Sequence, residues 1–295
     1  MKGEKKGSMR LRSKPFFSCG YAFAVTVFLL SPHSGPAQEA EEKPLRRVEL
    51  LVLESDLPSK VKVGLHFELA PGWYLYWINP GDAGLAPQVR WQLPPGFTAG
   101  RLDFPTPQKF VHAGSVAYGY KGELLLHCEI TPPPSPSSAS PPALAAVVDW
   151  MACRESCVQG RETVTAALQS ASPDVISRAK NLGKKFNSRF PRPISAAAIA
   201  VKGARLIRSG GEWSVEVELS GRDASAVSDF FPFSVPDFVI DHAHIVCREG
   251  RIVIPLTPAG AAASLSRIDG LLIIGEAGYE ISLPLKNETT TFKEV

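Results

Sequence analysis

The chain has 295 residues, of which 32 are Lys or Arg and 29 are Asp or Glu, and its formal net charge is +3 at pH 7. Six of the basic residues and one acidic residue fall within residues 1–37, so the remainder holds 26 basic and 28 acidic residues, a net charge of −2. This near-neutral balance argues against a nucleic-acid-binding protein and against a protein that binds anionic membrane surfaces.

Residues 1–37 have the three-part pattern of a secretory signal peptide. A basic start is followed by an apolar run over residues 15–30, and small residues stand at Gly35 and Ala37. This pattern predicts cleavage after Ala37. An uncleaved membrane anchor is the alternative, but a bilayer span needs roughly 20 apolar residues. No later stretch is apolar enough to span a membrane, so we expect an exported protein that is soluble after cleavage.

The chain that follows the signal begins with short strand-like runs separated by Pro and Gly. These runs cover residues 48–55, 60–70, 73–78, 88–93, 115–120, 123–130, 145–152 and 161–168. Their length and spacing predict a β-sandwich. The two runs on either side of Lys121-Gly122 predict a hairpin. The Pro- and Ser-rich segment 131–142 is expected to be a solvated loop within this domain.

Residues 172–187 break the strand pattern. Ser172 is a candidate N-cap and Pro173 suits the first helical position, so the stretch predicts a helix. A linker follows at 189–193, and we place a domain boundary near residue 190.

The predicted domains are therefore 38–189 and 190–295. The second domain is again rich in strand-like runs and predicts another β-sandwich. His242 and His244 alternate along one of its runs, a spacing that suits a surface metal pair, but two solvated side chains on one face of a strand are the favoured interpretation.

The stretch "WMACRESCVQG", from Trp150 to Gly160, places Cys153 and Cys157 with three residues between them. It joins two strand-like runs, so we expect a connection at the edge of the first sandwich. A structural disulfide is one interpretation, but so short a loop restricts the unfolded chain by only about 2 kcal/mol. Redox exchange is favoured, because the second thiol can resolve a mixed disulfide at once.

Metal binding is the third interpretation of the pair. Two thiolates with Met151 would form a soft site suited to Cu(I), although no His has a characteristic spacing from them. Trp150, beside the pair, is a candidate to shield it from solvent. Cys128 is expected to be buried in a strand, and a Cys128–Cys247 disulfide is a less favoured alternative.

Three motifs in order carry a resemblance to a known family. They are "GWYLYWINPGDAGLAPQVRWQLPPGF" at 72–97, "VAYGYKGELLL" at 116–126 and the cysteine stretch at 150–160. Together they resemble the N-terminal periplasmic domain of DsbD-type thiol–disulfide interchange reductases over roughly residues 45–170. The closer likeness is to the ScsB-like branch, associated with copper tolerance, because the more familiar DsbD-type domain spaces its cysteines more widely. The tail from 190 resembles the second β-sandwich of that branch.

This resemblance implies an all-β chain of two immunoglobulin-like β-sandwich domains joined by a short helix and linker. It implies that Cys153 and Cys157 are catalytic, one forming a mixed disulfide with a partner and the other resolving it. Cys157 is favoured as the exposed cysteine. Tyr118 and Tyr120 lie in a stretch that would approach the pair and shield it. No bound cofactor is needed, and copper is the alternative.

In the family, a membrane domain takes reducing equivalents from cytoplasmic thioredoxin, and the N-terminal domain passes them to periplasmic proteins. This chain stops before any membrane electron-transfer domain. We therefore expect a separate membrane reductase, and partners that are periplasmic thioredoxin-like or disulfide-bearing proteins.

The predicted function is that of an exported, periplasmic thiol–disulfide interchange protein that relays electrons through a redox-active disulfide. Whether it is an enzyme in its own right, or a component of a protein-disulfide reductase, stays open. One alternative is a Cu(I)-binding or copper-delivery protein that uses the same cysteines. The other is a non-catalytic β-sandwich interaction module with a structural disulfide.

Overall fold

The computed structural model describes residues 43–57, 59–134, 143–168, 171–209 and 211–289. The predicted signal peptide at 1–37 and most of the predicted loop at 131–142 lie outside the described residues. The described residues all belong to one compact unit, Glu42–Val295. No helix among them is long and apolar enough to cross a membrane.

Ten strands of the described residues form the first sandwich. They are β1 (Leu45–Asp56), β2 (Lys60–Leu69), β3 (Tyr74–Gly81), β4 (Gln88–Gln92), β5 (Thr98–Asp103), β6 (Gln108–His112), β7 (Ser115–Lys121), β8 (Glu123–Thr131), β9 (Ala143–Cys153) and β10 (Cys157–Ala167). One sheet has the order β1-β2-β8-β5. The other, which we call the site sheet, has the order β10-β9-β3-β7-β6, with β4 paired to β9.

The second sandwich follows helix α1 (Pro173–Asn187). Its strands are β11 (Arg192–Pro193), β12 (Ala200–Ser209), β13 (Glu212–Ser220), β14 (Asp229–Pro232), β15 (Phe238–Ile240), β16 (Val246–Arg248), β17 (Arg251–Pro258), β18 (Arg267–Ile274), β19 (Ala277–Pro284) and β20 (Lys286–Thr289). They form one sheet in the order β11-β19-β18-β14 and another in the order β15-β17-β13-β12-β20, with β16 paired to β17. The predicted all-β class with one connecting helix is confirmed, and the boundary near residue 190 stays a prediction.

The two sandwiches share buried surface. Each has its own core, but Phe231, Leu271 and Ile273 of the second sandwich pack into the core of the first. The ring centroids of Trp77 and Phe233 lie 5.2 Å apart, and the Asn79 amide donates a hydrogen bond of 2.7 Å to the Pro232 carbonyl. Burial of this kind couples the two sandwiches, because separating them would expose apolar side chains to water.

Helix α1 covers the outer face of the β1-β2-β8-β5 sheet. Its N-cap is Ser172, as predicted, and the Ser172 hydroxyl accepts a hydrogen bond from the Val175 amide. Ala179, Leu182 and Phe186 lie three to four residues apart on one helix face, where they pack against leucines of β1 and β8. This cover explains why consecutive residues of β2 are buried on both faces of the strand.

The hairpin predicted around Lys121-Gly122 is wrong. β7 pairs with β3 and β6 in the site sheet, whereas β8 pairs with β2 and β5 in the opposite sheet. Gly122 has a φ of +74°, and it turns the chain from one sheet into the other. Two alternating runs around a glycine fit either arrangement, because alternation shows which face is buried and not which strand is the neighbour.

The strand predicted for His242 and His244 is also wrong. These residues form a short 3₁₀ helix, His242–His244, in which the Asp241 carboxylate accepts a hydrogen bond from the His244 amide. His242 is buried against Tyr118 of the first sandwich, and His244 is exposed beside Asp241. The local Asp cap therefore overrides the apparent alternation.

Replacing Phe186 by Ala tests the role of the helix. Phe186 is fully buried against Leu51, Leu53 and Leu125, so we expect a loss of about 3 kcal/mol in the free energy of unfolding. Denaturant unfolding, followed by tryptophan fluorescence, measures it. Val175→Ala, on the exposed side of the same helix, should change stability by less than about 0.5 kcal/mol. Equal effects of the two changes would show that the helix does not pack as described.

Candidate redox site

Cys153 and Cys157 form a disulfide across the β9–β10 hairpin. Cys153 is the last residue of β9 and Cys157 is the first of β10, and they are cross-strand partners with Cα atoms 4.1 Å apart. The turn between them is closed by a hydrogen bond of 3.0 Å from the Arg154 amide to the Ser156 carbonyl. The predicted connection at a sandwich edge is confirmed, because β10 is the edge strand of the site sheet.

The two cysteines differ strongly in exposure. Cys153 is 2% exposed, whereas Cys157 is exposed at the start of the edge strand. An incoming thiolate must reach one sulfur along the axis of the disulfide, so access decides which sulfur is attacked. Cys157 is thus the accessible sulfur, and an attack on it would make Cys153 the sulfur that leaves.

The neighbours of Cys153 come from β3. Tyr74 is the cross-strand partner of Cys153, and Leu75 is the partner of Ala152. Cross-strand partners project from the same face of a sheet, so Tyr74 and Cys153 lie on the outer face while Leu75 and Ala152 lie in the core. Tyr76, two residues further along β3, returns to the outer face, and its hydroxyl donates a hydrogen bond of 3.2 Å to the Cys153 sulfur.

The Tyr76 hydroxyl keeps its proton and can donate a hydrogen bond. Burial raises its pKa, and the neighbouring Tyr74 hydroxyl, 3.4 Å away, raises it further. The phenol therefore keeps its proton at neutral pH. Gly84 closes over the ring with a φ of +117°, and a Cβ at this position would lie 2.3 Å from a ring carbon of Tyr76. Only glycine allows the loop to pack so closely here.

A row of aromatic rings extends from Tyr76 across the outer face. The Tyr74 ring meets the Tyr76 ring edge-on, with centroids 5.2 Å apart, and lies 5.3 Å from the Phe110 ring of β6. The Lys121 ammonium group sits 4.5 Å from the Phe110 centroid, within the range of a cation–π contact. We call Tyr76, Tyr74 and Phe110 the aromatic row.

The predicted shielding residues lie on the other face of the site sheet. Tyr120 is the cross-strand partner of Leu75, and its hydroxyl donates a hydrogen bond of 2.6 Å to the Pro105 carbonyl. Trp150 packs in the core and its ring lies over Gly160, where a Cβ would be 2.1 Å from a ring carbon.

Tyr118 is fully buried, and its hydroxyl lies 3.3 Å from Nδ1 of His242. The structure thus does not bring Tyr118, Tyr120 or Trp150 to the face that carries Cys153, and their shielding role stays a prediction. The residues that do meet the cysteine on that face, Tyr74 and Tyr76, were not singled out from the sequence. The alternation in "WYLYWI" could have indicated them only if the neighbour of β3 had been known.

The turn between the cysteines is attached to the first sandwich through Arg154. Its guanidinium lies 5.2 Å from the centroid of the Trp73 ring, a cation–π contact. Its stem passes next to Gly72, where a Cβ would be 3.0 Å from an Arg154 side-chain carbon. These contacts hold the cysteine loop against the sheet.

The structure places the three residues of the alternative Cu(I) site, Met151, Cys153 and Cys157, near one another. Met151 is two residues before Cys153 on β9, which places both on the outer face, and it is half-buried. The disulfide occupies both sulfurs, so copper would need the reduced pair. Among the residues that the structure describes, no group of three or more His, Cys, Asp or Glu could hold a metal ion. Copper binding stays a prediction.

The two other cysteines of the described chain are free. Cys128 is buried in β8, as predicted, and burial raises its pKa to about 11. Burial raises the pKa of Cys247 to about 12. The Cys128–Cys247 disulfide considered from the sequence is not formed. Raised pKa values suppress the thiolate at neutral pH, so neither residue is an activated nucleophile.

Comparison with known proteins identifies the domain that carries the site. Residues 42–169 match the family model "Thiol:disulfide interchange protein DsbD, N-terminal". The match supports a DsbD-N/ScsB-like domain over this part of the chain. The match covers every element that forms the redox site, from β1 to β10, and confirms the resemblance inferred from the sequence motifs.

A solved structure extends the likeness in fold. The N-terminal periplasmic domain of ScsB from Proteus mirabilis matches with a TM-score of 0.58 and 17% identity, covering 78% of this chain and 90% of that one. A match of this extent reaches beyond the DsbD N-terminal domain into the second sandwich. The DsbD N-terminal domain of Neisseria meningitidis, in its reduced form, covers 44% of this chain and 87% of that one, with 14% identity and a TM-score of 0.28. Among curated proteins, none matches.

Replacing Tyr76 by Phe tests the hydrogen bond to Cys153. The bond stabilises the negative charge that develops on Cys153 as it leaves, so its loss should slow reduction by dithiothreitol about fivefold, the equivalent of about 1 kcal/mol. Quenching with an alkylating reagent and mass spectrometry measures the rate. Tyr74→Phe, which leaves the Tyr76 donor in place, is the matched control and should have a smaller effect. An unchanged or faster rate in Tyr76→Phe would contradict the assigned role.

Proposed function

We propose that this protein exchanges disulfides with other proteins through the Cys153–Cys157 pair. The observation that carries the proposal is the asymmetry of the pair: an exposed sulfur bonded to a buried sulfur that accepts a hydrogen bond from Tyr76. A structural disulfide gains nothing from an exposed sulfur or from a donor aimed at its partner. The DsbD N-terminal match, whose description names thiol–disulfide interchange, supports the same use.

In the reducing direction, the exchange proceeds in two steps. The Cys157 thiolate of the reduced pair attacks one sulfur of a partner disulfide, which forms a mixed disulfide and releases the partner's other sulfur as a thiolate. The Cys153 thiolate then attacks the Cys157 sulfur and releases the second partner thiolate. The pair loses two electrons and becomes a disulfide, and the partner gains two electrons and, after protonation, two thiols. The reverse sequence reloads the pair from a donor dithiol.

The hydrogen bond from Tyr76 serves both directions. When a donor thiolate attacks Cys157, the Cys153 sulfur leaves with negative charge, and the Tyr76 hydroxyl stabilises it. When Cys153 later attacks, the same hydrogen bond favours its thiolate form. A buried cysteine without such a donor would be a poor leaving group, because burial disfavours the charged sulfur.

The partners that fit this site are proteins with an exposed disulfide or dithiol. Cys157 lies on an edge strand, so a partner can reach its sulfur without opening the sandwich. We place the reaction in the periplasm, which is supported by the signal pattern at 1–37 and by the periplasmic domain of ScsB that shares the fold. Reducing equivalents would come from a membrane reductase, and the acceptors would be thioredoxin-like or disulfide-bearing proteins.

Trapping a mixed disulfide tests the proposal. In a chain with Cys128→Ser and Cys247→Ser, Cys153→Ser leaves the exposed Cys157 without its resolving partner. Oxidised glutathione should then form a stable adduct on Cys157, which mass spectrometry detects. Cys157→Ser, which leaves only the buried Cys153, should react more slowly by at least about tenfold. Equal reactivity of the two variants, or no adduct on Cys157, would contradict the proposed roles.

A further inference from the structure

Strand β6 links the redox site to the second sandwich. Lys109 and Phe110 are neighbours on β6, so their side chains project from opposite faces of the site sheet. Phe110 faces outward and completes the aromatic row beside Tyr74. Lys109 faces inward, where its ammonium group lies 3.1 Å from Oδ2 of Asp229 in β14. One strand therefore carries a contact with the site on one face and a contact with the second sandwich on the other.

The Lys109–Asp229 ion pair is built into the junction between the sandwiches. Each of the two side chains is 21% exposed. The other carboxylate oxygen of Asp229, Oδ1, accepts a hydrogen bond of 2.8 Å from the Phe230 amide, which fixes the orientation of the carboxylate. A pair that is shielded from water and oriented by a backbone donor holds its partners more firmly than an exposed pair.

The strand beside β6 is held by the same surface. Tyr118 of β7 is the cross-strand partner of Lys109, and its ring centroid lies 4.7 Å from that of Phe231. Its hydroxyl lies 3.3 Å from Nδ1 of His242. The inward face of the β6–β7 hairpin is thus attached to the second sandwich at two adjacent points, while its outward face supports Tyr74.

We propose that Asp229 of the second sandwich is a positioning residue for the Cys153–Cys157 disulfide. Asp229 holds Lys109 and therefore strand β6. Phe110 on the same strand packs against Tyr74. Tyr74 in turn lies beside the Tyr76 hydroxyl, which donates the hydrogen bond to Cys153. This inference rests on the proposed exchange function for its biological meaning. The predicted change in the reactivity of the disulfide does not depend on any protein partner.

Asp229→Asn breaks the ion pair with little change in volume. Because Oδ1 accepts from the Phe230 amide, the new amide group would replace Oδ2 and present its N–H groups to the Lys109 ammonium, where donor faces donor. The strand β6 loses its attachment, the aromatic row loosens and the Tyr76–Cys153 hydrogen bond weakens. Reduction of the disulfide should slow, in the same direction as in Tyr76→Phe.

Dithiothreitol reduction of the full chain, followed by alkylation and mass spectrometry, measures this effect. We expect Asp229→Asn and Lys109→Gln each to slow the reduction of Cys153–Cys157 about threefold, part of the effect of losing one hydrogen bond. Asp229→Glu, which keeps the charge, should restore most of the rate. Circular dichroism and the unfolding midpoint of each variant show whether it is folded. Asp229→Asn and Lys109→Gln each remove one partner of the same ion pair.

Glu280→Gln is the matched control. Glu280 also joins the sandwiches, through an exposed ion pair with the Arg101 guanidinium, 3.6 Å away on β5, which belongs to the sheet opposite the aromatic row. Its loss should leave the rate of reduction unchanged. If Asp229→Asn affects the disulfide only by weakening the junction in general, then Glu280→Gln will slow reduction in proportion to its own loss of stability, and the inference fails.

A double-mutant cycle gives the sharpest outcome. If Asp229 acts through the Tyr76 hydroxyl, Asp229→Asn will cause no further slowing in a Tyr76→Phe background. Additive effects, or a wild-type rate in Asp229→Asn alone, would overturn the inference and leave the proposed function intact. Failure of Cys157 to form a mixed disulfide in the trapping experiment would instead overturn the proposed function.

Discussion

The alternation of side chains across the site sheet is the constraint on which the redox site depends. Cross-strand pairing of Tyr74 with Cys153, and of Cys153 with Cys157, places the reactive sulfurs on the outer face. The intervening positions, Leu75 and Ala152, then fill the core. A shift of one residue in the pairing of β3 with β9 would exchange the two sets, and would turn Cys153 toward the core and Ala152 toward the outer face. The apolar core therefore specifies the geometry of the site.

Much of the fold and part of the site could be predicted from the sequence. The strand runs, the capped helix and the edge position of the cysteine stretch follow from local patterns, and the exposure of Cys157 agrees with the preference inferred for it. Tyr76 could not be identified in this way, because its role depends on which strand lies beside β3. The same limit explains the wrong hairpin at Lys121-Gly122, since sheet partners are set by long-range packing.

The second sandwich has a structural relation to the site that no local motif reveals. Its β14 strand packs Phe231 into the core of the first sandwich, and Asp229 on the same strand pairs with Lys109. The two sandwiches are therefore not independent modules on a linker. A residue more than 70 positions away from the cysteines in sequence contributes to their surroundings because the site sheet transmits its position through neighbouring strands. The ScsB domain is similar in fold over an extent that reaches into both sandwiches.

The reduction potential of the Cys153–Cys157 pair is the most direct measure of whether this disulfide exchanges or only cross-links. Equilibration of the protein in glutathione buffers of defined ratio, with alkylation of the free thiols, gives its value. An exchange-active pair with an exposed sulfur should equilibrate with the buffer at a potential above about −300 mV. A disulfide that stays oxidised in buffers poised well below about −300 mV would be a structural cross-link and would contradict the proposed function.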